Sequence, residues 1–280
     1  MRILPDLPDL HILPTDTLRP HEHHDDRRAL PLAEALRRDG ILRNPPVVLR
    51  LSGHAERYVV LDGANRTTAF RHLGMEHVLA QVVHPGDNQV SVETWNHALL
   101  NVGEDELPDL LRTVAGIDLI DMDAEPASAD LARRDALAWL SLSGGRAMTI
   151  ASPSLNLRQR VLGLNQLVQA YHSRACVERT NARALDEMLA AFPSAAGLIV
   201  FRGFEVQDVV DAVSEELLLP GGLTRFIVSP RALRVNYPLT ALMAPVSRES
   251  KEQTLSEWVR QKVAGRQVRF YAEATYLFDE

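Results

Sequence analysis

A short β-branched run that halts at Asp62-Gly63 and turns at once into a helical pattern constrains this chain more than any other feature. The stretch reads Val59-Val60-Leu61-Asp62-Gly63-Ala64-Asn65-Arg66-Thr67-Thr68-Ala69-Phe70-Arg71-His72-Leu73-Gly74. A strand, a tight turn and a helix in this order point backbone N–H groups and a helix N-terminus at one spot, which suits an anion. Gly63 permits a positive φ or the close approach of a ligand. Asn65, Arg66, Thr67 and Thr68 add side-chain donors, and a guanidinium grips a phosphate with two parallel hydrogen bonds. Asp62 is out of place beside a phosphate unless it serves a metal ion or a moving proton. The same residues also suit an ordinary turn in which Asp62 caps the helix and Arg66 is solvated. Spacing alone leaves both readings open.

Around that turn the pattern predicts a small α+β unit. Residues 8–13 read as a strand closed by Pro14. Leu30, Leu32, Ala33 and Leu36 recur at helical spacing over 28–38, with Gly40 as the C-terminal cap. Pro45-Pro46 sets an extended approach to a strand over 47–51. Further strands are expected over 58–61 and 78–83, on either side of a helix over 67–73.

From 101 to 135 the chain is acidic and poor in aromatics, and 122–130 reads as a loop or linker. Strands are expected at 136–142 and 148–151 around Gly144-Gly145. A helix follows from about 155 to 171 with Leu162, Leu164, Leu167 and Val168 on its buried face. A helical stretch near 180–192, a buried strand at 198–201 and a helix over 205–218 come next, the last ended by Pro220-Gly221-Gly222. The segment 255–264 is amphipathic and 268–271 is strand-like. Trp139 and Trp258 are expected in the core. The result is two α+β lobes, with a cleft between them as a place for two substrates to meet.

Composition narrows the function. At 280 residues the chain can build one large or two modest cores. A formal net charge of −7 argues against a general nucleic-acid binder with a basic face. The single cysteine, Cys176, excludes an internal disulfide framework and fits a reducing cytosol. No run of about 20 apolar residues predicts a transmembrane helix, and Met1-Arg2-Ile3-Leu4-Pro5-Asp6 lacks the apolar core of a secretion signal. A cytoplasmic protein is expected. His21, Glu22, His23, His24, Asp25 and Asp26 tempt a transition-metal reading. Adjacent residues of one loop seldom converge on a tetrahedral centre, however, and no cysteine or helical His pair supports it. Magnesium held by Asp62 and nucleotide phosphates is the better fit.

Four blocks, in order, resemble the ParB/sulfiredoxin superfamily, and within it the branch of free L-serine kinases. The first is Leu18-Arg19-Pro20-His21-Glu22 with Asp25-Asp26-Arg27-Arg28, and the second runs from Asp39-Gly40-Ile41-Leu42 through Arg43-Asn44-Pro45-Pro46 to Val47-Val48. The third is the turn itself, Asp62-Gly63-Ala64-Asn65-Arg66, where those kinases have Asp-Gly-x-His-Arg; an Asn amide still donates there. The fourth is Gly222-Leu223-Thr224-Arg225-Phe226-Ile227-Val228 with the segment from Arg231 to Leu239. Plain ParB partition proteins and sulfiredoxin lack this last block.

The resemblance implies an α+β architecture with a ParB/sulfiredoxin-like nucleotide-binding domain over 1–100. A second α+β domain over 101–280 would contribute the amino-acid pocket, with a cleft between the two. It implies a small-molecule kinase that moves a phosphoryl group from ATP or ADP to the hydroxyl of free L-serine, giving O-phospho-L-serine, with Mg2+ as cofactor. Glu22 corresponds to the kinases' catalytic glutamate, a carboxylate able to take the hydroxyl proton. Asp62 would orient magnesium or the hydroxyl. Ile41, Leu42, Asn44, Gly63, Asn65, Arg66, Thr67 and Thr68 would hold the nucleotide. Trp95, Thr224 and Arg225 would receive the amino acid, with Arg231 and Arg234 as alternatives or as phosphate partners. The partners implied are small molecules, neither nucleic acid nor membrane.

A rival within the superfamily is a non-catalytic, nucleotide-dependent DNA-binding regulator. Acidity and the lack of a basic recognition helix after the first lobe argue against it. A sulfiredoxin-like reductase needs a cysteine in the phosphate turn, and this turn has none.

Overall fold

The expected apolar runs do pair, but not in two consecutive halves. The computed structural model describes residues 7–23, 26–51, 53, 56–84, 90–123, 136–152 and 156–271. It divides the chain into a first unit of Met1–Arg19, Asp25–Gln89 and Val228–Glu280, and a second of Pro20–His24 and Val90–Ile227.

In the first unit a five-stranded sheet runs in the order Leu10–Pro14, His77–Val83, Val47–Arg50, Tyr58–Asp62, Leu18–Pro20. Val47–Arg50 lies parallel to His77–Val83 and antiparallel to Tyr58–Asp62. All seven residues of His77–Val83 are buried, which explains why its sequence is nearly continuous in apolar residues rather than alternating. The helices Asp26–Asp39 and Ala64–His72 pack against each other, and Leu36 and Phe70 join the core formed with Val60 and Leu79. Gly40 takes a left-handed φ of 67°, as its capping position requires.

That core is closed by the far end of the chain. Tyr237, Leu239, Leu242 and Leu255 are buried in it, and Tyr237–Pro238 pairs antiparallel with Ile41–Leu42. The segment from 228 onward thus packs with the N-terminal part, where the sequence suggests a single division near residue 100. The last long helix begins at Arg248, ahead of the amphipathic stretch, because Ser247 caps it by accepting from Ser250 N at 3.3 Å. Residues 268–271 are not a strand: among the described residues they pair with no neighbour, and Phe270 and Tyr271 are exposed.

The second unit is built on a six-stranded antiparallel sheet. Its order is Cys176–Thr180, Asn96–Leu100, Ala195–Phe201, Ala136–Ser141, Arg146–Ala151, Asp118–Asp123. The helix Leu157–His172 packs on it through Val161, Leu164, Leu167, Val168 and Tyr171. Leu162 is 51% exposed, a correction to its expected place on the buried face: it is one residue, about 100° of helix rotation, beyond Val161. Near 180–192 the expected helix is replaced by the end of an edge strand at Thr180 and a single turn, Leu185–Met188. The helix Val206–Ser214 is shorter at both ends than predicted. The acidic region holds a helix, Glu106–Arg112, and a strand, Asp118–Asp123, that the sequence did not suggest; the remainder of the 122–130 linker lies outside the described residues. Trp139 is core as expected, and Trp258 packs partly buried on the first unit's core. Among the described residues no helix is long and apolar enough to cross a membrane.

Candidate active site

Tyr58–Asp62 delivers Asp62 to the end of a strand, and Gly63 turns the chain with φ 96°, ψ 27° into the helix Ala64–His72. The conformation is left-handed, and an added Cβ would sit 2.9 Å from Pro46 Cβ, so only glycine fits. The helix starts earlier than its apolar periodicity suggested. Its first internal bond, Thr67 N to Gly63 O, is 2.9 Å, which leaves the N–H groups of the first turn without a carbonyl partner inside the helix.

Two other segments of the first unit converge on this turn. Arg66 donates through Nη1 to Asn44 O at 2.6 Å and through Nη2 to Asp62 Oδ2 at 2.8 Å. Arg231, from the C-terminal segment, donates to the same Asp62 Oδ2. Asn44 Oδ1 accepts from Arg234 N at 2.8 Å. One carboxylate set between two guanidinium groups leaves the turn net cationic within an acidic protein.

The side chains here are not equivalent. The Thr67 hydroxyl is engaged within the helix, donating to Gly63 O at 3.1 Å. Thr68, 6% exposed, has an Oγ1 with no hydrogen-bond partner, and Asn65 Oδ1 and Arg231 Nε are also buried and unpartnered. Unsatisfied buried polar atoms are uncommon and ask for a ligand. An amide can turn to present its nitrogen, so Asn65, Thr68 and Arg231 are together suited to phosphate oxygens. Ile41 and Leu42 form a two-residue strand paired with Tyr237–Pro238, with the Leu42 side chain fully in the core.

Glu22, Trp95, Thr224 and Arg225 all lie in the second unit. The segment carrying Glu22 is fastened to Leu219 by two backbone bonds of 2.9 Å, His23 N to Leu219 O and Leu219 N to His21 O. Gly222 N donates to Glu22 Oε2 at 2.8 Å. The Pro-Gly-Gly turn is shaped for this approach: a Cβ on Gly221 would stand 2.5 Å from His23 O, and Gly222 has φ +78° with the Arg179 guanidinium against it. His21 is buried, its Nε2 2.6 Å from Thr224 Oγ1 and its ring edge-on to Phe226. The Thr224 hydroxyl is thereby tied to His21.

Trp95 N donates to Leu223 O at 2.9 Å. The Arg225 guanidinium lies 5.0 Å from the centre of the Trp95 ring and 3.4 Å from Glu93 Oε2, and its side chain is 49% exposed. His97, on the next strand, is buried and held neutral, its pKa lowered to about 3, first by burial and then by the nearby His172 and Arg179. Its Nδ1 is 2.6 Å from the Tyr171 hydroxyl.

Several members of these two clusters were not singled out from the sequence. His21 was considered only as a metal ligand, and His24 and Asp25 of that cluster lie outside the described residues. Among the described residues no group of three His, Cys, Asp or Glu could hold a metal ion. At the Asp62–Thr68 turn Asp62 offers a carboxylate, its Oδ2 taken by Arg66 and Arg231. One such group is enough for an ion that keeps its waters and binds mainly phosphate. Gln81 and Arg179 were also missed. The former is an amide inside an apolar strand, which was a visible signal.

No protein-family model matches this chain. It is 23% identical over 274 residues, 97% of both chains, to a Staphylococcus aureus protein named ATP-dependent L-serine kinase SbnI. Over 98 residues, 34% of this chain and 38% of the relative, it is 32% identical to an ATP-dependent L-serine kinase of Staphylothermus marinus. Among solved structures, a C-terminally truncated SbnI from Staphylococcus aureus aligns with TM-score 0.71 at 20% identity, covering 91% of this chain and 97% of that one. A free serine kinase in complex with AMP aligns with TM-score 0.70 at 16% identity, covering 86% and 97%. The α+β fold is thus shared with these kinases across both units.

Proposed function

We propose that this protein is a small-molecule kinase that transfers a phosphoryl group from an adenine nucleotide to the hydroxyl of free L-serine, giving O-phospho-L-serine. The observation that carries this reading is the cationic turn at Asp62–Thr68 with its unpartnered Asn65, Thr68 and Arg231 atoms, in a chain similar along nearly its whole length to a named serine kinase.

Phosphoryl transfer asks the protein for positioning and charge neutralisation more than for covalent chemistry. Arg66, Arg231, Asn65, Thr68 and the helix N-terminus hold the nucleotide phosphates, and backbone around Ile41, Leu42 and Asn44 borders the nucleoside. Asp62 would hold magnesium, which would supply charge neutralisation for the transferred group. Glu22 takes the serine hydroxyl proton as that oxygen bonds to phosphorus, and the bond from phosphorus to the nucleotide's bridging oxygen breaks. Trp95 covers the amino acid, and Arg225 faces its carboxylate. Nucleotide and free serine meet in the cytoplasm, where we place the reaction.

The decisive experiment is phosphorus NMR of the protein with magnesium, ATP or ADP, and a panel of hydroxy amino acids. O-phosphoserine is the expected product. If no acceptor gains phosphate and specific DNA binding is found instead, the regulator reading replaces this one.

Arg225 is half exposed and shared with Glu93 and Trp95, so its contribution is bounded. Arg225→Ala should raise the serine KM by about fivefold, the scale of an exposed ion pair of about 1 kcal/mol, with nucleotide affinity unchanged. Arg225→Lys should recover part of it, lacking the planar fork. A normal serine KM in the alanine variant would place the carboxylate elsewhere.

A further inference from the structure

The strand His77–Val83 is buried throughout, yet it carries Gln81, 2% exposed, where an apolar residue would cost less. Every polar group of that amide is used. Nε2 donates to Pro230 O at 2.9 Å, and Oε1 accepts from Ala232 N at 2.9 Å. These are the peptide groups on either side of Arg231. The backbone N of Gln81 donates to Pro46 O at 2.9 Å, on the loop against which Gly63 packs. One residue of the central sheet therefore fixes both flanks of Arg231 and the loop under the phosphate turn.

We propose that Gln81 is a positioning residue of the phosphate site: it presets Arg231 as a second cation beside Arg66, so that both guanidinium groups face the incoming phosphate. This rests on the reading that the turn binds nucleotide phosphate. Arg231 sits in a segment without regular structure, with left-handed backbone nearby at Arg234 and Asn236. Without an anchor its guanidinium would sample many positions. With both neighbouring peptide groups held, it reaches Asp62 Oδ2 and keeps a buried, unpartnered Nε for a ligand. Asp62 then occupies the two arginines until phosphate arrives.

The test is calorimetric affinity for ADP and for adenosine in the unaltered protein, Gln81→Leu, Arg231→Ala and the double variant. Gln81→Leu is expected to weaken ADP by about tenfold, the lower range for loss of an orienting partner, and to leave adenosine unchanged. Combined with Arg231→Ala it should add little, because the two act as one unit. If Gln81→Leu does not fold, Gln81→Asn, which keeps the amide but is one methylene short, is measured in the same way. Equal weakening of ADP and adenosine, or full additivity with Arg231→Ala, overturns the proposal and leaves Gln81 a structural residue. If the unaltered protein binds ADP no better than adenosine, the phosphate reading and this proposal fall together.

Discussion

Glu22→Gln is expected to lower the rate of serine phosphorylation by about 10²-fold or more, the general-base scale, while ADP affinity is preserved. The two side chains have the same shape, and the amide oxygen can still accept from Gly222 N, as the carboxylate does at 2.8 Å. The backbone bonds between this segment and Leu219 involve His21 and His23, not the Glu22 side chain. Local structure should therefore survive. What is lost is a group able to take a proton as the hydroxyl oxygen attacks. Steady-state turnover with saturating serine, set beside calorimetry with ADP, separates the two effects. Unchanged turnover would remove Glu22 from the mechanism.

Arg66→Ala should weaken ADP by about 10- to 10²-fold, since a charge-assisted hydrogen bond contributes about 1.5–3 kcal/mol. Adenosine should bind nearly as before. The substitution removes the fork that joins Asn44 O to Asp62 Oδ2. Asp62 keeps Arg231 as a partner, so no bare carboxylate is left to distort the comparison. Arg66→Lys should restore part of the loss, because an ammonium supplies charge without a planar pair of donors. Equal weakening of both ligands would mean that Arg66 braces the turn and does not read phosphate.

The strand–turn–helix at Asp62–Thr68 was legible because its elements are consecutive: strand, glycine and helix fall within one short stretch. Which donors remain for a ligand was not. Thr67 and Thr68 are neighbours in sequence but face different sides of a helix, and only the structure shows the Thr67 hydroxyl bonded to Gly63 O. Arg231 was named as one alternative among several. Its place on Asp62 spans 169 residues and depends on the buried clamp of Gln81. In the second unit Trp95 and Arg225 were singled out through resemblance, and the structure brings them into contact. The edge strand Cys176–Thr180 escaped because its residues are exposed or half-exposed and its alternation is weak. Leu162 misled because an apolar residue on a helix need not be on the inner face.

The return of the C-terminal segment to the first unit sets the order in which this chain can be completed. A ribosome delivers residues 10–83 first, and their sheet can begin to pair. The residues that finish the same core, Tyr237, Leu239, Leu242 and Leu255, come last. Until they arrive, a face of Val, Leu and Phe side chains waits uncovered while the whole second unit is synthesised. A growing chain in that state is prone to aggregation. The Asp62–Thr68 turn shares this timing: Arg231 and the Ala232 N–H that anchors it follow the second unit off the ribosome. An interrupted chain would thus carry the Asp62–Thr68 motif intact but without its second arginine.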